Sequence, residues 1–188
     1  PGPHGDAGRL PLLLHEGLQQ VVVMWLKYFS LLFSLYSAIS IVSLYAMNEA
    51  VNVGGLALAT ASAFFLRREY KGLTTRPEFR IPYAGAYTMF LGYLGIIAGI
   101  PTSFVSQVHL LGLSLVLVGA MFVDLGVLTA LVLGMLRLSK LSREGRLRIA
   151  AVLYLLGLAL GLKVGAVGYS LYLISSLLVF SSAVRVRR

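Results

Sequence analysis

The stretch from Leu110 to Leu136 constrains this chain more than any other, because its only charged residue is Asp124. At about 1.5 Å rise per residue a helix over this run is longer than the ~30 Å hydrocarbon core of a bilayer. Such a segment has no stable place in water and a natural one in lipid. The rest of the chain agrees: 58% of its residues are hydrophobic and 12% are charged, against roughly 25% charged in soluble domains. The predicted fold class is therefore all-α, a polytopic integral membrane helix bundle.

Hydropathy divides the chain into about six transmembrane helices. No charge occurs between Tyr28 and Ala46, which forms span one. Span two runs roughly from Val51 to Leu66 and is short, span three from Pro82 to Ile100 with Pro101 closing it, and span four from Leu110 to Leu136. Leu147 to Leu162 and Val164 to Val184 follow as spans five and six, separated only by Lys163 and nearby glycines. Ahead of span one, Leu12 to Lys27 mixes apolar residues with His15, Glu16, Gln19 and Gln20. This suits a helix lying in the interface, or an N-terminal extension of span one. Residues 1–27 are thus expected to form a tail and interfacial helix, and residues 28–188 a six-span bundle. Residues 1–8 lack the basic stretch and short apolar core of a secretion signal, and no element of the fold is expected there.

The placement of Lys and Arg gives the bundle a direction. Arg67, Arg68, Lys71, Arg76 and Arg80 follow span two, and Arg137, Lys140, Arg143, Arg146 and Arg148 follow span four. Arg185, Arg187 and Arg188 end the chain, whereas the connections after spans one and three carry no Lys or Arg. By the positive-inside rule both termini and the basic loops are cytoplasmic. The expected location is a prokaryotic plasma membrane, the basic loops meeting anionic lipid headgroups. A formal net charge of +9 spread over helix ends in this way argues against a nucleic-acid partner.

Composition also limits the chemistry. With no Cys there are no disulfides, thiolate nucleophiles or thiolate-bound metals. Of His4, His15 and His109 only the last lies near a span, which does not provide the facing pair of histidines that a membrane haem needs. Glu49 and His109 could share the outer face, but two ligands without fixed spacing are a weak metal signal. No nucleophile with its base and no carboxylate dyad is apparent, so neither catalysis nor a cofactor is expected.

Two patterns remain. In span four Gly112, Gly119 and Gly126 recur every seven residues and fall on one slowly drifting stripe. Gly55, Ala59 and Ala63 in span two, Gly95 and Gly99 in span three, and Gly157, Gly161 and Gly165 further on form similar small-residue seams. Because lipid supplies no hydrophobic drive between helices, close backbone packing along such seams holds a bundle together. The second pattern is Asp124 itself, roughly opposite the span-four glycines. A central acid costs about 2.5 to 3.5 kcal/mol on insertion scales, so it is expected either to pair with Tyr87, Tyr93, Tyr154 or Ser62, or to serve as a proton or cation site. Span four, needed on two faces, is expected at the centre of the bundle. Two functions fit: a non-catalytic accessory subunit or self-associating scaffold of a membrane complex, and a small channel or proton- or cation-coupled transporter using Asp124. The first has the wider support in the sequence; the second rests on one residue.

Overall fold

In a computed structural model the chain is all-helical, with no strand among the described residues. The structure describes the backbone of residues 9–46, 49–161 and 163–185, and the side chains of residues 24–45, 53–161 and 163–184. Helix α1 spans Arg9–Ala46, α2 Glu49–Leu73 and α3 Arg80–Ser103. A single long rod follows: α4 (His109–Gly126), a π-helical segment (Val127–Leu133) and α5 (Gly134–Ser142). Helices α6 (Gly145–Gly161) and α7 (Gly165–Arg185) complete the bundle.

Four stretches are long and apolar enough to cross a membrane: Met24–Tyr45, Pro77–Ser103, Ser106–Ser142 and Gly165–Val184. The other two helices differ for identifiable reasons. Helix α2 carries Arg67, Arg68, Glu69 and Lys71 in its last turns, and α6 has 17 residues, about 26 Å of helix.

Several boundaries depart from the sequence reading. Residues 12–27 are the first part of α1, continuous with span one, the second of the two arrangements considered. Helix α2 continues past Leu66 to Leu73 because the buried stripe of Ala59, Ala63 and Leu66 is prolonged by Tyr70 and Leu73. Pro101 does not close α3: it sits inside the last turn, and its carbonyl accepts the Phe104 N–H at 3.2 Å. Proline removes a donor but keeps its acceptor, so the turn after it can still close. Spans five and six are separate helices, joined by a turn in which the Lys163 and Val164 N–H groups donate to the Leu160 carbonyl. The rod turns into α6 through Arg143, whose left-handed backbone (φ 56°) is that of a helix C-terminal residue.

The helices form a ring. Helix α1 packs on α2 and α7, α2 on α3, α3 on α4 and the π segment, and α6 on α7, the π segment and α5. The rod therefore closes the ring only through its second half. Its first half, α4, packs principally on α3, and Leu110, Leu117 and Met121 are 78%, 67% and 66% exposed. This corrects the central placement expected for span four. A helix can satisfy its glycine stripe with one neighbour and leave its other faces to lipid, which costs an apolar side chain nothing.

Serine and threonine hydroxyls contribute little between helices. Ser30, Ser34 and Ser37 donate to the carbonyls of Lys27, Ser30 and Phe33 within α1, the local option for these residues in apolar helices. Side-chain links between helices among the described residues include Tyr70 Oη to the Ala130 carbonyl (2.7 Å), Tyr154 Oη with Ser176 Oγ (3.0 Å), Arg146 to Ser181 Oγ (3.2 Å) and His109 Nδ1 with the Ser103 carbonyl. Packing does most of the holding. Its centre is aromatic: Phe33 is fully buried, with the rings of Tyr154 and Tyr172 both 6.0 Å away.

Candidate functional site

The glycine seams determine where the helices touch and therefore where they do not. On α4, Gly112, Gly119 and Gly126 are buried against α3. A Cβ at Gly119 would lie 2.7 Å from the Gly92 carbonyl oxygen, and one at Gly92 would lie 2.6 Å from the Gly119 oxygen. Gly99 faces the Gly112 carbonyl at 2.7 Å in the same sense, and Gly126 faces the Gly85 carbonyl at 2.8 Å. Three glycines on each helix thus pair in antiparallel order: 85 with 126, 92 with 119, 99 with 112. Gly95 is looser, with Leu115 oxygen at 3.5 Å from a Cβ placed there. Gly85 and Gly92 escaped the sequence reading, although Gly85, Gly92 and Gly99 repeat the seven-residue spacing of their partners. On α6, Gly157 and Gly161 meet Gly168 of α7, which the sequence reading also missed. Gly165 stands apart from this seam, its nearest neighbour being Leu44 of α1 at 3.7 Å from an added Cβ.

With α4 held on α3 and α6 held on α7, the two pairs part at the end of the bundle where Lys163 is the one Lys or Arg. A cavity of about 620 Å³ lies between them. Leu44, Ile100, Gly161 and Gly165, at or near helix ends, mark its mouth, while Asp124 and Val127 lie well along the rod. Fifteen helical steps from His109 place Asp124 about 22 Å along a rod of about 51 Å, close to mid-depth. The acid is exposed in the isolated chain and lines the cavity.

Four tyrosines share the wall: Tyr36 from α1, Tyr93 from α3, and Tyr169 and Tyr172 from α7. The Tyr36 ring is 6.0 Å from Tyr93 at 75° and 6.0 Å from Tyr169 at 90°, and Tyr169 is 6.4 Å from Tyr172 at 76°. Gly157 makes room for one of them, since a Cβ there would come within 2.7 Å of the Tyr172 ring. Among the described residues no Lys, Arg or His is in the lining, and Asp124 supplies its one carboxyl, beside the tyrosines, the Ser40 hydroxyl and aliphatic side chains. Among the described residues no hydroxyl hydrogen-bonds Asp124.

Of the partners considered for Asp124, only Tyr93 lines the cavity. Tyr87 lies under the Arg67 guanidinium at 4.7 Å, Tyr154 bonds Ser176, and Ser62 donates to the Ala59 carbonyl within its own helix. Glu49 has its side chain outside the described residues, and His109 Nδ1 hydrogen-bonds the Ser103 carbonyl. No group of three potential metal ligands occurs among the described residues.

A second acid is buried. Glu69 in α2 is 2% exposed, and neither carboxyl oxygen has a hydrogen-bond partner among the described residues. It sits beside Tyr70, whose hydroxyl caps the Ala130 carbonyl in the π segment. Reading residues 67–71 as a loop hid it; extending the stripe Ser62, Leu66, Glu69, Leu73 by helical spacing would have revealed it. Compared with protein-family models, characterised proteins and solved structures, the chain matches none.

Proposed function

We propose that this protein is a small integral membrane carrier or channel that binds a cation or proton at Asp124. The observation that carries this reading is the cavity running from the non-basic end of the bundle to a carboxylate at mid-depth. An acid kept only for helix register would face a hydrogen-bonding neighbour, whereas this one faces open space large enough for a ligand. Intramembrane acids of this kind mark ion and substrate paths. The six helices cross the membrane six times, with α2 and α6 completing their depth through snorkelling side chains and local bilayer thinning. Arg68 supports this for α2, lying 5.2 Å over the Trp25 ring and 5.6 Å over Phe64. Both termini and the basic loops are cytoplasmic, in a prokaryotic plasma membrane, and the cavity opens outward.

The accessory-subunit or scaffold reading has one observation of its own, the exposed apolar face of α4, where a partner helix or a second copy would seat as readily as lipid. Flux decides between the two. In proteoliposomes the parent protein should pass protons or cations, and Asp124→Asn, which keeps size and hydrogen bonding but cannot ionise, should abolish that flux. A parent protein without flux, co-purifying with other membrane subunits, would favour the scaffold.

A further inference from the structure

We propose that the ligand of the cavity is an organic ammonium compound, held by the Asp124 carboxylate and the tyrosine rings around it. The inference rests on the carrier reading above and names its substrate class. Size argues first. A cavity of about 620 Å³ falls in the roughly 300–1,000 Å³ range that encloses small organic ligands, whereas a dehydrated Ca²⁺ ion needs about six to eight oxygens at about 2.3–2.6 Å. Among the described residues the lining's side-chain oxygen donors are one carboxylate and the neutral hydroxyls of Ser40 and the tyrosines, with no Asn, Gln, Glu or His beside them. A single charged ligand among neutral hydroxyls is a poor donor set for a dehydrated divalent cation.

What the walls supply instead is π surface. Tyr36 stands at 75° to Tyr93 and 90° to Tyr169, and Tyr169 at 76° to Tyr172. Rings at near right angles form adjoining sides of a box, the arrangement by which aromatic cages surround substituted ammonium groups within ~6 Å of ring centroids. Leu56, Ile96, Val123 and Leu158 form an aliphatic wall, and Ser40 is the one side-chain hydroxyl of the described lining outside the tyrosines. The aliphatic wall suits N-alkyl substituents. No basic side chain among the described lining residues neutralises Asp124, so the chamber selects for positive charge by its acid and for organic substituents by its walls.

Calorimetric titration of the purified protein in lipid nanodiscs tests this, using choline, tetraethylammonium, the uncharged choline isostere 3,3-dimethylbutan-1-ol, Na⁺ and K⁺. At least one ammonium probe should bind, the isostere at least about tenfold more weakly. Tyr36→Phe and Tyr169→Phe keep the ring and lose the hydroxyl, and should bind within about threefold of the parent. Tyr36→Leu and Tyr169→Leu remove the ring and should weaken binding about tenfold, with thermal unfolding used to confirm that each variant is folded. Equal binding of isostere and ammonium, or folded Leu variants binding like the parent, would overturn the proposal. Asp124-dependent binding of Na⁺ or K⁺ without ammonium binding would overturn it and leave the carrier reading intact. No binding of any probe, with no Asp124-dependent cation or proton flux in liposomes, would overturn both.

Discussion

Asp124 faces the cavity without a hydrogen-bonding partner among the described residues, and that changes what its replacement should do to stability. An acid paired across helices would leave a polar group stranded when changed to Leu, at about 1 to 3 kcal/mol. Here nothing is stranded, so Asp124→Leu and Asp124→Asn should both unfold within about 0.5 kcal/mol of the parent, the range of substitutions away from buried contacts. Tyr70 is the contrasting case. Its hydroxyl donates to the Ala130 carbonyl at 2.7 Å and is fully buried, so Tyr70→Phe should destabilise the bundle by about 1 to 3 kcal/mol. Thermal unfolding in one detergent checks both, and a larger loss for Asp124→Leu than for Tyr70→Phe would contradict the site as described. Sequence marked Asp124 because a lone charge in an apolar run is conspicuous. The tyrosines that surround it were harder to see, since Tyr36, Tyr169 and Tyr172 sit in segments where an aromatic residue reads as ordinary membrane-helix content. Only the docking of α1 and α7 brings them to the acid.

Between elements, the paired glycines set the distance from α3 to α4. A methyl at Gly92 or Gly119 would meet backbone atoms at 3.0 Å or closer on the facing helix, and backbone cannot move aside as a side-chain tip can. Gly92→Ala and Gly119→Ala should each destabilise the bundle by about 1 to 3 kcal/mol, the usual cost of overpacking. Gly54 meets nothing within 4 Å, so Gly54→Ala should be neutral or gain up to about 1 kcal/mol from helix propensity. Equal unfolding temperatures for the three variants would remove the seam from the account. The seven-residue spacing on α4 was plain in the sequence, while its partner on α3 was obscured by Gly95, which draws the eye to a four-residue pattern. The π segment had no sequence signature at all. Its wider turn adds a residue per turn, and the buried set passes from the Gly112, Gly119 and Gly126 stripe to Val127, Ala130 and Leu131. The same rod thereby packs on α3 through α4 and the π segment, and on α6 through the π segment and α5. The cavity exists because those two contacts lie on one helix at different depths.

The whole molecule has a basic end and an end without Lys or Arg apart from Lys163, and the six-crossing arrangement predicts which faces outward. The chain has no Cys, so single cysteines report without background. Cysteines at Val105 and Val164, both exposed, should react with an impermeant thiol reagent added outside sealed cells, and those at Thr75 and Ser142 should not. Reaction at Thr75 or Ser142 would reverse the orientation or change the number of crossings. The division into helices was legible in the sequence because hydropathy acts segment by segment, and Lys/Arg placement predicts the direction that the labelling tests. Ring closure was not, since which faces meet depends on how all six helices settle together, and an exposed Leu in lipid carries no penalty that would betray its position.

The proposed function requires an aqueous path from the outer face to Asp124 at mid-membrane. The direct measurement is the reaction of Asp124→Cys with a small, charged, membrane-impermeant methanethiosulfonate reagent applied from outside, compared with Leu117→Cys on the lipid-facing side of the same helix. Thiolates form in water and not in hydrocarbon, so modification should be rapid at position 124 and slight or absent at 117. Slow or absent modification at 124, or equal rates at the two positions, would contradict it.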